Sequence, residues 1–293
     1  MVDLSEFESI SPYTDAEAAE ALSKLAEYPL LAKVSQQFFP EESPDFLKNL
    51  LKNIKTIDDF QILVMQKFVR WVIEHTARNF SYDGISNIDP EKKFLALSNH
   101  RDIILDPAIT QLVLYNNGIP MTEIAVGDNL ITNKTIEYLI RSNRMIKVVR
   151  GITARELYLS SQLLSKYIRL NITEQRSSIW LAQRQGRTKN GYDVTEQGLL
   201  KMLDMSGTGD FQQNYEELNI IPMSISSKEV RRTSMDIEKD GRIFALECII
   251  FQDNSFEISI NDVTQETEQA RLKKQLTQNI AHELKTQIGR AHV

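Results

Sequence analysis

Hydrophobic residues in the first 80 positions recur at the spacing of amphipathic helices, with turn-forming residues between the periodic segments. The helices that this spacing predicts cover residues 14–38, 45–54 and 57–78. Ser43 before Pro44, and Thr56 with Asp59 three positions on, are typical signals of a helix N-terminus. We therefore predict a helical subdomain over residues 1–80.

From residue 93 the pattern changes to short apolar runs that alternate with helical segments. The predicted strands are 94–97, 123–126, 145–149, 178–182 and 219–225, and the predicted helices between them are 107–115, 133–141, 154–170 and 196–205. This alternation is typical of an α/β domain, with a mostly parallel sheet covered by helices, which we place at residues 81–226. Ligands of such sheets bind beyond the carboxyl ends of the strands.

After residue 226 the pattern changes again. Asp240-Gly241 indicates a turn, and the runs 242–251 and 256–260 resemble a pair of antiparallel strands joined through Asp253-Asn254. Residues 266–284 form a polar amphipathic pattern with the spacing of a long helix that packs against a partner helix.

Composition excludes several classes of function. The 293 residues carry a formal net charge of -6, so the chain has no overall basic field, and we expect no nucleic-acid partner. Cys248 is the single cysteine, which excludes an internal disulfide framework and a cysteine-based zinc site. No apolar run approaches the roughly 20 residues of a spanning helix, and no leader pattern opens the chain. We expect a cytoplasmic protein without a metal ion.

His100 is the strongest candidate for chemistry, because it follows the apolar run 94–97 at the carboxyl end of a predicted strand. Asp106 lies a few residues on, and a carboxylate there can fix the tautomer of an imidazole base and support its charged form. Other interpretations stay open: Asp106 precedes Pro107 and could cap a helix, and His100 could be a structural histidine. Arg150 and Arg187 could be solvated surface charges, and Gly186 a turn residue.

Four blocks in this region share their order and spacing with a known family. They are Asn99-His100 with Asp106, then residues 146–150, 184–188 and 220–224. Over residues 90–226 the chain resembles the glycerolipid acyltransferases, which acylate glycerol 3-phosphate or 1-acylglycerol 3-phosphate. The resemblance implies that His100 deprotonates the acceptor hydroxyl and that Asp106 orients its ring. The residues that it implies for substrate binding are Asn99, Arg101, Arg150, Gln185, Gly186 and Arg187, with Lys189 as a further candidate for the phosphate.

The same resemblance implies the partners of the chain. The acyl donor would be a coenzyme A or acyl-carrier-protein thioester, with no resident cofactor, and the protein would attach peripherally to the inner face of the cell membrane. Three positions depart from the family pattern. Five residues separate His100 from Asp106 where four are usual, Gln185 replaces a glutamate, and Arg187 lies one place early.

A second motif occupies residues 276–286, Leu-Thr-Gln-Asn-Ile-Ala-His-Glu-Leu-Lys-Thr. It resembles the phosphoacceptor box of sensor histidine kinases, in which His282 would accept phosphate, Glu283 would assist, and the helix would form a homodimer. Residues 227–265 resemble the end of a PAS-like sensor module. Because no kinase nucleotide-binding domain follows, the alternative function is a non-catalytic signalling fragment.

The last seven residues, 287–293, resemble a translated sequencing adapter. Together with the abrupt change of pattern near residues 226–230, they lead to the hypothesis of a joined reading frame, in which an acyltransferase domain is fused to an internal kinase fragment. A natural two-domain protein remains the alternative.

Overall fold

The computed structural model describes residues 4–77, 79–150, 153–187, 194–226, 229–239, 242–251 and 256–262, together with 264, 265 and 267. The chain divides into two compact units, residues 1–226 and 227–293. Each unit is described by itself below.

The first unit begins with helices that pack around their own apolar cluster. Their bounds are α1 Asp15–Leu25, α2 Leu31–Phe38, α3 Phe46–Asn53, α4 Ile57–Phe60, a π-helical turn Gln61–Met65, and α5 Gln66–Thr76. The prediction of one helix over 14–38 is wrong, because Pro29 lacks the N–H that a continuous helix needs. Thr56 accepts a hydrogen bond from the Asp59 amide as predicted, and α3 agrees with the helix predicted over 45–54, with Asp45 as its N-cap residue.

A parallel sheet of five strands follows, in the order β3-β2-β4-β1-β5. The strands are β1 Leu95–Ser98, β2 Glu123–Gly127, β3 Met145–Val148, β4 Ile179–Ala182 and β5 Ile220–Met223. The predicted α/β architecture is thereby confirmed. Pro222 lies on β5, at one edge of this order, where a residue without an N–H interrupts no ladder on its outer side.

Helices cover both faces of the sheet. They are α6 Leu105–Asn116, α7 Lys134–Arg141, α8 Ala154–Thr173, α9 Gln197–Asp204 and α10 Phe211–Glu216. On one face, Leu114 of α6 packs in a cluster with Ala96 and Trp180. On the other face, Leu164 and Ile168 of α8 pack in a cluster with strand residues that include Leu95, Ile146 and Ile179. Since α6 and α8 lie on opposite faces, their N-termini flank the carboxyl edge of the sheet from both sides.

The segment before α1 runs along the outer strand β3. The Lys147 amide donates to the Ile10 carbonyl at 2.8 Å, and the Tyr13 amide donates to the Arg141 carbonyl at 3.1 Å. Arg141 returns two guanidinium hydrogen bonds, to the carbonyls of Ser11 and Glu8. The Lys147 bond occupies part of the edge of β3 that would otherwise present unpaired backbone groups, and the Arg141 bonds attach the same segment to α7.

The second unit contains a three-stranded antiparallel sheet in the order β6-β7-β8. Its strands are β6 Glu229–Lys239, β7 Arg242–Phe251 and β8 Phe256–Asp262. The predicted strand pair is therefore incomplete, because the polar stretch before residue 240 forms a third strand that pairs along β7. The predicted turn at Asp240-Gly241, the connection at Asp253-Asn254 and the long helix all lie wholly or mainly outside the described residues.

A cavity of about 440 Å³ opens at the amino edge of the five-stranded sheet, opposite to His100. Glu123, at the start of β2, faces this cavity and accepts a hydrogen bond from the Tyr167 hydroxyl at 2.7 Å. Burial raises the pKa of the Glu123 carboxyl above its ordinary value, although the Tyr167 hydrogen bond and the charges of Arg144 and Arg176 act in the opposite direction.

This carboxyl makes stability depend on pH. Because its pKa is higher in the folded chain than the ordinary value of 4.5, the folded state binds more protons, and the free energy of unfolding falls as pH rises above that value. Glu123→Gln should flatten the decline, whose limit for one group is about 1.4 kcal/mol per pH unit. Urea unfolding between pH 5 and 8 measures how the free energy of unfolding changes with pH. Glu216→Gln, which replaces an exposed carboxyl, is the control. An equal pH dependence in both variants would contradict the assignment to Glu123.

Candidate active site

The carboxyl end of β1 leads directly into the candidate site. Ser98 is buried, and the next residue, Asn99, pairs with the backbone of Ile225 beyond β5. The Asn99 side-chain amide donates to the Ile225 carbonyl and its oxygen accepts from the Ile225 amide, both at 2.8 Å. This two-point contact fixes the backbone immediately before His100. The side chain that the resemblance assigns to substrate binding thus has a structural partner.

His100 and Asp106 lie within reach of each other. His100 Nδ1 is 3.3 Å from Asp106 Oδ2, and the side chains are 12% and 3% exposed. The same Oδ2 accepts from the backbone amides of Arg101 at 2.6 Å and Asp102 at 2.9 Å. The longer spacing between histidine and aspartate therefore still brings the two groups together. A nearly buried imidazole beside a buried carboxylate can take a proton from a hydroxyl, because the carboxylate stabilises the imidazolium that results.

Asp102 shapes the loop between them. Its Oδ1 accepts from the amides of Ile104 at 2.8 Å and Leu105 at 2.7 Å, where α6 begins. Asp106 itself lies in the first turn of α6 and not at its cap, so the interpretation of Asp106 as an N-cap is wrong. Asp102 satisfies the free amides of the helix start, which leaves the Asp106 carboxylate available to the loop and the imidazole.

Arg150 follows β3, and its side chain is exposed. A methyl group added at Gly127, the last residue of β2, would meet Arg150 Nη2 at 3.0 Å and Asn129 Oδ1 at 2.5 Å. The guanidinium therefore lies over the end of β2, and the absence of a side chain at Gly127 makes room for it. Since β2 is two positions from β1 in the sheet, this cation is about 10 Å from the end of β1 at the usual strand spacing.

The loop after β4 carries the other predicted binding residues. Gln185 and Gly186 are exposed, Gly186 has a φ of +73° that favours glycine, and Arg187 is half-buried. Thr188 and Lys189 lie outside the described residues. Because β4 pairs directly with β1, this loop leaves the sheet beside His100.

Sequence reasoning missed the residues that attach these loops to the sheet. The Gln183 amide donates to the Ser98 carbonyl at 2.7 Å, its carbonyl accepts from the Glu196 amide at 2.9 Å, and its side chain accepts from Thr195. Arg101 lies in the His100 loop and is half-buried. Gln183 and Gly127 carry no motif of their own, and only the apolar run before Gln183 pointed to a strand end there.

Some expectations find no test in the described residues. His282 and Glu283 of the kinase-like motif lie outside them, as do the residues 287–293. Within the described part, no helix combines the length and the apolar character needed to cross a membrane. That part also holds no group of three or more His, Cys, Asp or Glu residues placed to hold a metal ion.

Comparison with known proteins identifies a family for the first unit. Residues 79–226, just over half of the chain, match the family model described as Acyltransferase. This range includes all five parallel strands and every candidate residue of the first unit. The curated proteins include no match to this chain.

Proposed function

The chain belongs to the acyltransferase family, and we propose that it transfers a fatty acyl group to a hydroxyl of glycerol 3-phosphate or 1-acylglycerol 3-phosphate. The observation that carries the proposal is the contact between His100 and Asp106 at the carboxyl edge of the sheet. The four sequence blocks favour the glycerolipid branch of the family. The acyl donor is a thioester of coenzyme A or acyl-carrier protein, and the reaction needs no resident cofactor or metal ion.

The proposed reaction begins at the imidazole. With its Nδ1–H directed at Asp106, His100 takes the proton of the acceptor hydroxyl on Nε2. The hydroxyl oxygen attacks the thioester carbonyl, a new C–O bond forms, and the C–S bond breaks. The departing thiolate takes the proton back from the imidazolium, so His100 returns to its neutral form. Asp106 supports the positive ring during this cycle, and its three hydrogen-bond donors hold it in place.

The phosphate of the acceptor would bind to arginines beyond the strand ends. Guanidinium groups bind phosphate oxygens through two parallel hydrogen bonds, which Arg150 over β2 and Arg187 after β4 can supply. Arg187 leaves the strand next to β1, and Arg150 extends toward it across Gly127. This arrangement supports an acceptor whose hydroxyl and anionic group are separated by a short carbon chain.

We also propose that the carboxyl edge of the sheet faces an anionic membrane. Large apolar side chains are 43–57% exposed there, and they are Ile103, Ile104, Leu157, Tyr158, Leu159 and Val194. They lie at the starts of α6 and α8 and before α9, on both sides of the sheet. Among the described residues of the same loops and helix starts are five arginines, at positions 101, 150, 155, 184 and 187. The exposed or half-exposed carboxylates described there are those of Asp128, Glu156 and Glu196. Apolar side chains with interspersed arginines suit the headgroup region of an anionic bilayer.

His100→Ala should lower kcat by about 10³-fold, because the general base is lost. Asp106→Asn should lower it by about 10²-fold, because the amide supports an imidazolium less well. Thiol release from acyl-coenzyme A with glycerol 3-phosphate or its 1-acyl form measures the rates. His75→Ala, an exposed histidine on α5, is the control. Full activity of a folded His100→Ala variant would contradict the assignment of the base.

Gly127→Ala and Arg150→Ala should both raise the KM for a phosphorylated acceptor by roughly 10-fold, because each removes a charge-assisted hydrogen bond to the phosphate. The new methyl group of Gly127→Ala displaces the guanidinium, and Arg150→Ala deletes it. The KM for the same acceptor without its phosphate should change little. Gly198→Ala is the matched control, because a methyl group there meets no atom within 4 Å. An unchanged KM in Arg150→Ala would remove this residue from the phosphate site.

Ile104→Ser combined with Leu157→Ser should weaken binding to phosphatidylglycerol vesicles at least about fivefold, because each half-buried aliphatic group contributes roughly 1 kcal/mol. Co-sedimentation measures the binding. Phe211→Ser on α10, which leads into the amino end of β5, removes a side chain that is 68% exposed and should leave binding unchanged. Equal loss in both variants would show that this edge is not the membrane face.

A further inference from the structure

Trp180 lies beside the proposed base. It belongs to β4, where it is opposite Ala96 of β1, and its side chain is 2% exposed. The indole and the His100 imidazole have centroids 6.3 Å apart and planes inclined at 71°, which is an edge-to-face arrangement. Ala96 is in the same apolar cluster and is small, so the neighbouring strand leaves room for the large ring below the histidine.

The indole of Trp180 also carries a polar atom. Among the described residues, Trp180 Nε1 is buried and has no hydrogen-bond partner. A buried donor without an acceptor is unfavourable, and a phenylalanine at this position would avoid that cost. What the indole offers instead is its size, which lets it reach the imidazole from the middle of a neighbouring strand.

The orientation of the imidazole depends on what packs against its ring. His100 lies in a loop, outside helix and strand, and its Nδ1 is 3.3 Å from Asp106, which is long for such a hydrogen bond. The rotation of a histidine ring about its Cβ–Cγ bond has broad, shallow preferences. A hydrogen bond of this length limits the ring plane only weakly, whereas a buried ring packed against the imidazole excludes most of the rotation.

We propose that Trp180 is a positioning residue: its indole holds the His100 imidazole in the plane that directs Nδ1 at Asp106 and Nε2 at the acceptor hydroxyl. The inference rests on the proposed function for its effect on the reaction, but the contact itself does not. Trp180 touches no reacting atom, so it acts on the rate only through His100.

The two tryptophans of the chain provide a matched pair of variants. Trp71 on α5 stacks on the exposed His75, with ring centroids 4.3 Å apart, and serves as the control. Trp180→Phe should lower kcat about 10-fold and leave the KM values unchanged, because misorientation of a base weakens the transition state and not substrate binding. Trp71→Phe should retain kcat within twofold. Trp180→Tyr, whose ring is closer in size, should lose less than Trp180→Phe.

Fluorescence tests the contact without any substrate and without changing Trp180. In Trp71→Phe the only indole is that of Trp180, and its emission depends on the side chains packed against it. The intensity or wavelength of the emission should therefore change, at constant pH, when the imidazole is also removed in Trp71→Phe/His100→Ala.

The outcomes separate the inference from the proposed function. A folded Trp71→Phe/His100→Ala protein with the same emission as Trp71→Phe overturns the contact, whatever the enzyme activity. Folded Trp180→Phe and Trp180→Tyr variants with unchanged kcat overturn the positioning role. If the emission changes but no acyl transfer occurs with any phosphorylated glycerol acceptor, the contact stands and the proposed function fails.

Discussion

A single carboxylate oxygen, Asp106 Oδ2, holds the end of β1, the following loop and the start of α6 together. This oxygen accepts hydrogen bonds from two backbone amides and faces the imidazole of His100, and the Asp106 side chain is almost completely buried. Burial of a carboxylate is unfavourable unless hydrogen-bond donors surround it. The loop amides stabilise the charge of Asp106, and the charge in turn holds the loop in this conformation. The extra residue between His100 and Asp106 does not separate them, because the loop is folded back. The Asp102 carboxylate accepts hydrogen bonds from the amides of Ile104 and Leu105, which brings Asp106 toward the imidazole.

Much of the sheet could be predicted from the sequence because of its parallel strands. Such strands are buried on both faces and therefore occur as continuous apolar runs, as at Leu95 and Ile179, which turn-forming residues delimit. The strand β6 was missed for the opposite reason: six of the eleven residues in Glu229–Lys239 are charged, and no apolar run marks them. The break at Pro29 was visible in the sequence, but the helical spacing on either side obscured it.

The site was less predictable, because its geometry depends on contacts between distant residues. A spacing of five residues could not reveal whether Asp106 reaches His100, since that depends on how Asp102 folds the loop. Asn99 was expected at the substrate, yet both polar atoms of its side chain bind the backbone 126 residues away. Trp180 carries no motif, and its place beside the histidine follows only from the register between β1 and β4.

The contact between Asn99 and Ile225 also has a mechanical consequence. Ser226 is the last residue of the first unit, so the chain that continues into the second unit is anchored, one residue earlier, to the neighbour of His100. A pull on this connecting chain would act on the residue before His100 through the Asn99 side chain, and on β1 through its pairing with β5. A force on the chain after residue 226 therefore has a short path to the base, through Ile225 and Asn99.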